Sequence, residues 1–442
     1  MASEIRVNTF KNRSGLGTVS INDSGASFSG VVTATSGFSG DLTGNVAGNV
    51  TGNVTGNVTG NATGLSGSPT LTGITSISTT NLTVNGNAYP NAGPLSNRNI
   101  IINGAMQVAQ RGTGPVTAVD NSNEGYLTVD RFDQRTTSGW GSTRTLSVQQ
   151  STTAPTGFSN SYHINVNATD ATDAGLSYIR HRIEGQDIVN SGWDQTDPSS
   201  ELTLSFYVRA DHTATYCVTV LSDDTANHSF VHEYTIAAAN TWQRVSFQIP
   251  GVSSLTIAND NGNGFEIRWM LGVASSLNLA PTADVWNTST FGHATSNQDN
   301  FYDTLGNDLW ITGIQLEVGS VATPFEHRSY GDQLAKCQRY FQQLSNCELV
   351  GSKNTLTRMR ISGKLITEMR IPPTVTRTNT SLGFQDVGST QTSTNTTAAQ
   401  ATTQGVRYMA FDIAGFSNLA DRSYGGADSH GNGAVFNCDA EL

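Results

Sequence analysis

From Gly40 to Gly64 the chain places glycine at every fourth position, in the tract GDLTGNVAGNVTGNVTGNVTGNATG. So much glycine disfavours a helix, and so little apolar mass leaves a globular core nothing to bury. A period of four is a multiple of the two-residue period of a strand. In an extended chain Gly and Val point one way, Asn and Thr the other. Val46, Val50, Val54 and Val58 then line one face, alternating with bare glycine. One strand cannot bury that face. Three chains around a common axis can, with glycine letting the backbones approach. The tract is therefore expected to be a trimeric β-stalk, since a flexible linker needs no phase. Fully extended, such a tract reaches roughly 80 Å. Asn49-Val50-Thr51 and its copies match the N-glycosylation pattern, and are read as incidental in a chain with no secretion signal.

The rest of the composition fits a surface protein. Of 442 residues only 13% are charged, against about 25% in an average soluble protein. Lysine occurs only at Lys11, Lys336, Lys353 and Lys364. The net charge is −11, with no Lys/Arg run, so a nucleic-acid partner is not expected. MASEIRVNTF has no apolar core, and no run of about 18 apolar residues occurs, so neither secretion nor membrane insertion is expected. Cys217, Cys337, Cys347 and Cys438 lack metal-ligand spacing and read as buried thiols. A surface-type composition without an export signal points to a virus particle assembled in a host cytoplasm and released by lysis.

Five segments follow from texture. Residues 1–39 read as a leader with short strands such as Thr18–Ile21. Residues 40–94 are the stalk. Residues 95–328 hold all six tryptophans and recurring strand-like alternation: 143–149, 177–183, 202–208, 214–221, 242–249, 266–271 and 309–318. Many short strands between Gly, Asn and Ser turns predict a β-sandwich of jelly-roll type. GDQLAKCQRYFQQLSN, 331–346, spaces Leu334, Cys337, Phe341 and Leu344 like a helix, with Asp332 as N-cap. That spacing allows Leu334, Phe341 and Leu344 to pack three copies about an axis, or the helix to dock on its own sandwich. Residues 347–442 read as a β tip. Within it, 374–405 is an expected exposed excursion and 424–433 a Gly-rich loop.

Little catalytic chemistry is legible. No nucleophile-elbow, zinc-protease, P-loop or dinucleotide pattern occurs. Asp223/Asp224 and Asp299/Asp303 are carboxylate pairs of the kind a glycosidase uses, but sequence spacing does not set their separation in space. His228 and His232 share a strand face and read as surface residues. Sugar binding calls for exposed rings and hydrogen-bonding side chains. Trp242, Trp269 and Trp310 lie in strand patterns and read as core. Trp140, Trp193 and Trp286 lie in turn-like contexts and are the candidate platforms, joined by Tyr424, Asp428 and His430 in the distal loop.

Three stretches resemble a known family. The opening MASEIRVNTFKNRSGLGTVSINDSGASFSG and the GNVTGNVTG repeats resemble structural proteins and tail fibres of phages of marine bacteria, cyanophages especially. NRNIIINGAMQVAQRGT (97–113) and WITGIQLEVGSVATPFEHRSYGDQLAKCQRYF (310–341) resemble the opening and closing of a domain common in phage tail-fibre proteins. The resemblance implies a homotrimeric virion fibre, anchored to other virion proteins by its N-terminus, with a receptor-facing C-terminal half and no catalytic residues. The middle domain also resembles carbohydrate-binding-module jelly rolls. Those hold a structural calcium through acids at the opening and an Asp of the closing strand; here Ala105 and Gln107 replace the first and Thr312 the second, so no cofactor is expected.

The expectation is a mainly β phage tail-fibre protein, not an enzyme, that binds a host surface glycan or outer-membrane protein. A purely structural virion fibre or decoration protein is the alternative, and a polysaccharide depolymerase a lesser one.

Overall fold

The computed structural model describes residues 9–11, 18–22, 25–29, 82–84, 87–89 and 97–442, the last apart from 121, 137–143, 170–174, 225, 275–276, 278, 281, 289–290, 346–348, 356–357, 378–381, 387–388, 394–399, 402–404, 415–423 and 429–434. The chain divides into two units, Met1–Thr75 and Ser76–Leu442. The first contains an antiparallel sheet of β1 (Thr9–Lys11), β2 (Thr18–Asn22) and β3 (Gly25–Ser29). The stalk valines Val46, Val50, Val54 and Val58 lie outside the described residues. The second unit opens with the strand pair β4 (Leu82–Val84) and β5 (Asn87–Tyr89).

Its sandwich begins with β6 (Val116–Val119), β7 (Asp133–Thr136), β8 (Thr145–Ser151) and β9 (Ser161–Ala168). β10 (Leu176–Glu184) leads through the short helix α1 (Gly185–Val189) to β11 (Glu201–Ala210) and β12 (Ala214–Ser222). β13 (His228–Ile236), β14 (Gln243–Pro250), β15 (Asn263–Val273), β16 (Trp286–Asn287) and β17 (Asp308–Val318) complete it. One sheet runs β16-β13-β12-β15-β10-β7, the other β14-β11-β17-β9-β8-β6. Each stretch expected as a strand between 143 and 318 overlaps one, as runs rich in β-branched and aromatic residues favour. In β11, Leu202, Leu204, Phe206, Val208 and Ala210 are buried in the shared core, facing residues such as Val218, Ile267 and Trp269 of the other sheet. Each large apolar side chain so buried adds about 1.5–3 kcal/mol.

The two stretches 97–113 and 310–341 turn out to be partners in space. Asn99, 3% exposed, donates from Nδ2 to Ile314 O and accepts at Oδ1 from the amides of Ile101 and Leu316. Its own backbone is held by Glu326 and Arg328. Gly104 lies so close to β17 that a Cβ there would sit 2.0 Å from Ile314 O.

α2 (Tyr330–Gln338) is shorter than its apolar spacing predicts. Ser329, not Asp332, is its N-cap: the hydroxyl oxygen accepts from Asp332 N, and the hydroxyl donates back to the Asp332 carboxylate at 2.6 Å. The helix stops because its next residues have tertiary partners. Arg339 and Tyr340 both reach Glu184 on the sandwich, at 2.8 and 2.6 Å. Phe341 and Leu344 then lie in β18 (Phe341–Ser345), so they form no helical stripe. Leu334 and Cys337 dock on the chain's own Ile102, Val108 and Tyr340.

β18 joins a three-stranded sheet, β18-β27-β21, with β21 (Thr374–Arg377) and β27 (Val435–Asp439). A second sheet takes β19 (Leu349–Thr355), β20 (Arg358–Lys364), β22 (Leu382–Asp386), β23 (Ser389–Ser393), β24 (Gln400–Ala401), β25 (Tyr408–Ala414) and β26 (Tyr424–Asp428). The stretch 374–405, expected as an excursion, thus contains β21 through β24. Three cysteines, Cys217, Cys337 and Cys438, are free and buried as expected, and Cys347 lies outside the described residues.

Candidate functional site

The core takes every second residue of the β14-β11-β17-β9-β8-β6 sheet, so the alternate residues face away from it. Antiparallel register sets four of them in one row across the strands: Gln149 opposite His163, His163 opposite Trp310, and Trp310 opposite Arg209. The His163 imidazole stacks flat on Trp310, with centroids 4.5 Å apart and planes 3° apart. The Arg209 guanidinium lies 4.5 Å from the same ring. Gln149 donates to His163 Nδ1 at 2.8 Å, which fixes Nε2–H as the donor to Asp308 at 2.7 Å. Asn165 donates to the same Asp308 oxygen at 2.8 Å. Among the described residues Arg209 hydrogen-bonds only to Asn240, so its remaining N–H donors face solvent.

Two positions along the strands, Tyr207 faces out opposite Thr312. Phe158 packs against it at 5.3 Å, and Phe325 and His327 pack on Phe158 at 5.0 and 5.2 Å. Gly313 makes room for this cluster. Its φ of +62° accompanies a register shift, and a Cβ there would lie 2.7 Å from Phe158. The result is a rigid face of rings, amides, a carboxylate and a guanidinium, in which Trp310 is only 9% exposed under His163 and Arg209 and the side chains around it are half-exposed. Such a face can stack on sugar C–H surfaces and hydrogen-bond to hydroxyls.

The tryptophans expected as platforms lie elsewhere. Trp193 is 5% exposed, packs in the core and donates its indole N–H to Ser200 O. Trp286 is half-buried against the core and donates to Pro250 O at 2.7 Å. Both are drawn inward because an aromatic at a sandwich edge covers apolar surface while a carbonyl satisfies its N–H. Trp140 and His430 lie outside the described residues. Tyr424 and Asp428 bound a strand, β26, paired on both sides with β19 and β22, where a loop was expected. Of the tryptophans read as core, Trp269 is 1% exposed and Trp310 9% exposed, the latter buried although it lies in the outward row, and Trp242 is half-exposed just before β14.

The carboxylate pairs serve structure. Asp224 accepts from Ala258 N, Asp223 from Asn263, Asp299 from Thr215 N and Asp303 from Asn307. His228 and His232 do share a face, but it is the inward one. His228 is 1% exposed and bonded to Ser254, and His232 stacks on Phe247 and bonds to Asp284. Among the described residues no group of three or more His, Cys, Asp or Glu side chains is arranged to hold a metal, and no helix is long and apolar enough to cross a membrane. Asn103, at the start of the stretch whose calcium ligands are replaced, instead bonds through its side chain to Val108 and Asp130 backbone atoms.

No protein-family model matches the chain, and no curated protein does. Among solved structures, the enzymatically active domain of tailspike protein 4 from bacteriophage CBA120 is 12% identical over 46% of this chain and 21% of that one, with a TM-score of 0.26. A CBM4 module is 12% identical over 49% of this chain and 97% of its own, with a TM-score of 0.24. A family 11 carbohydrate-binding module from Clostridium thermocellum, in complex with a mixed-linked tetrasaccharide, is 10% identical over 47% and 97%, with a TM-score of 0.23.

Proposed function

We propose that this chain is a non-catalytic glycan-binding protein of a phage fibre, working as a homotrimer at the particle surface. The observation that carries the glycan reading is the row Gln149–His163–Trp310–Arg209. Its side chains are held by their neighbours, and the Arg209 donors beyond the one bonded to Asn240 face outward. Preorganised polar groups beside aromatic rings bind sugars without ordering cost. The carboxylates that a depolymerase reading needs are taken up by backbone amides and structural side chains. The valine-phased repeat supports the trimer, and three copies of a weak site bring avidity. The leader 1–39 attaches to other virion proteins in this reading, and host adhesion through a surface glycan is its role.

The test is a glycan array probed with the full chain and its Arg209→Ala and His163→Ala variants. Binding that falls about tenfold or more in both variants, with thermal unfolding unchanged, supports the reading. A folded trimer that binds no glycan and no host cell moves the chain to the structural-fibre alternative.

A further inference from the structure

A groove enclosing about 700 Å³ lies where the sandwich meets the β18-β27-β21 sheet. That volume falls within the range of small-ligand sites, roughly 300–1,000 Å³. Its floor is in register: Gln343 of β18 lies opposite Asn437 of β27, and Asn437 opposite Thr376 of β21. One register step of two residues away, Asp439 lies opposite Thr374. Gln343, Thr374 and Thr376 are exposed, and Asn437 and Asp439 half-exposed. One flank is apolar, with Ile371 37% exposed next to an exposed Pro372.

The opposite flank is charged, and its cation is already committed to carboxylates. Arg111 lies 3.1 Å from Asp439, 3.4 Å from Glu441 and 3.9 Å from Asp130, with its guanidinium 3.6 Å from the Phe341 ring. A cation with three carboxylates around it has nothing to spare for an anionic ligand. The open side chains are amides and hydroxyls, with Gln343 donating to Asn437 Oδ1 at 3.2 Å, beside the half-exposed Asp439 carboxylate that Arg111 pairs, and next to an apolar wall. That is complementary to a ligand bearing both hydroxyls and C–H faces.

We propose that this groove is a second carbohydrate-binding site, specific for a short neutral oligosaccharide. The proposal rests on the glycan-binding reading of the chain and adds a site separate from the sandwich face. Hydroxyls bond to Gln343, Asn437 and Thr376, and a sugar C–H face packs on Ile371 and Pro372. The groove joins two parts of the chain more than two hundred positions apart, so it exists only once both have folded.

The experiment uses the full chain against immobilised neutral gluco-, manno- and galacto-oligosaccharides and their uronate-containing counterparts. Three proteins are compared with the parent: Arg209→Ala on the sandwich face, the double variant Gln343→Ala/Asn437→Ala on the groove floor, and Thr376→Trp, which fills the groove without removing those amides. The expected result is a neutral-glycan signal that survives Arg209→Ala and drops about tenfold or more in both groove proteins, with unfolding temperatures unchanged. Neutral-glycan binding that is lost in Arg209→Ala and intact in both groove proteins overturns the groove and leaves the sandwich-face reading standing. Dependence of uronate glycans alone on the groove overturns its neutral specificity. A parent that binds none of these glycans overturns both readings together.

Discussion

The Asn99 side chain accepts the backbone N–H of Leu316 at 3.1 Å, across 217 positions of sequence. The same amide donates to Ile314 O at 3.0 Å, so the opening of the domain is stitched to its last core strand. Asn99→Ala removes the partner of two buried N–H groups, of Ile101 and Leu316, and of the Ile314 C=O. The expected loss is roughly 2–4 kcal/mol, read as a lower denaturant midpoint followed by tryptophan fluorescence. Asn99→Asp supplies the acceptor but not the donor, and should not restore the parent. A midpoint unchanged in Asn99→Ala would show that the clasp is dispensable.

Stability should fall with acid in two overlapping steps. Burial, and then the Arg268 guanidinium, hold His293 down at about 4. The unfolded chain takes that proton more readily, so the contribution of His293 is full above about 6.5 and is lost as pH drops toward 4. Burial pushes Glu266 up, but Arg268, Arg180 and Arg182 outweigh it and hold the carboxyl at about 2. Its contribution is full above about 4.5 and is lost as pH drops toward 2, a change of about 2–4 kcal/mol. Melting temperatures of the parent, His293→Gln and Glu266→Gln across this range separate the steps: the first variant flattens the upper one, the second the lower. A parent profile level from pH 6.5 to 4 contradicts the histidine assignment.

Trp193→Ala should act on folding. The side chain is 5% exposed and lies 5.7 Å from the Phe265 ring. Removing it opens a cavity and costs about 3–5 kcal/mol. A surface platform would give the reverse pattern, with binding lost and the unfolding transition intact, and the two measurements made side by side decide it.

Arg131 is fully buried and forms an ion pair with Glu441, with its guanidinium 3.4 Å from the Tyr340 ring. Arg131→Met leaves the buried Glu441 carboxylate only the longer contact with Arg111, at 3.4 Å, and should cost about 2–4 kcal/mol. The double variant Arg131→Met/Glu441→Leu removes both charges and should regain much of that loss. A double-mutant cycle measures the coupling, and additive losses would mean the two charges do not act as a pair.

Much of the sandwich was legible because β11 and β14 alternate apolar and polar residues and β10, β12 and β17 are rich in β-branched and aromatic residues. β9, SYHINVNA, alternates too, but its polar half is His and Asn, which read as turn residues until they are placed on a face. α2 was legible in position and not in length. Leu334 and Cys337 obey a helical period that Phe341 and Leu344 continue by coincidence, and the pairing of β18 with β27 overrides it. The candidate face was not legible at all. His163, Arg209 and Trp310 come from three strands far apart in sequence, and only register makes them neighbours. Trp193 and Trp286 sit in Gly- and Asn-rich contexts that suggest exposure, whereas the nearest apolar surface drew them in.

The Arg131–Glu441 pair spans 310 positions, so during synthesis one charge waits for the other. A ribosome adding about 5–20 residues per second leaves Arg131 without its counter-ion for tens of seconds after it emerges. Until then the sandwich cannot close over that side chain without trapping a bare charge. Burial of Arg131 with its charge paired therefore requires the last residues of the chain to be in place beside it.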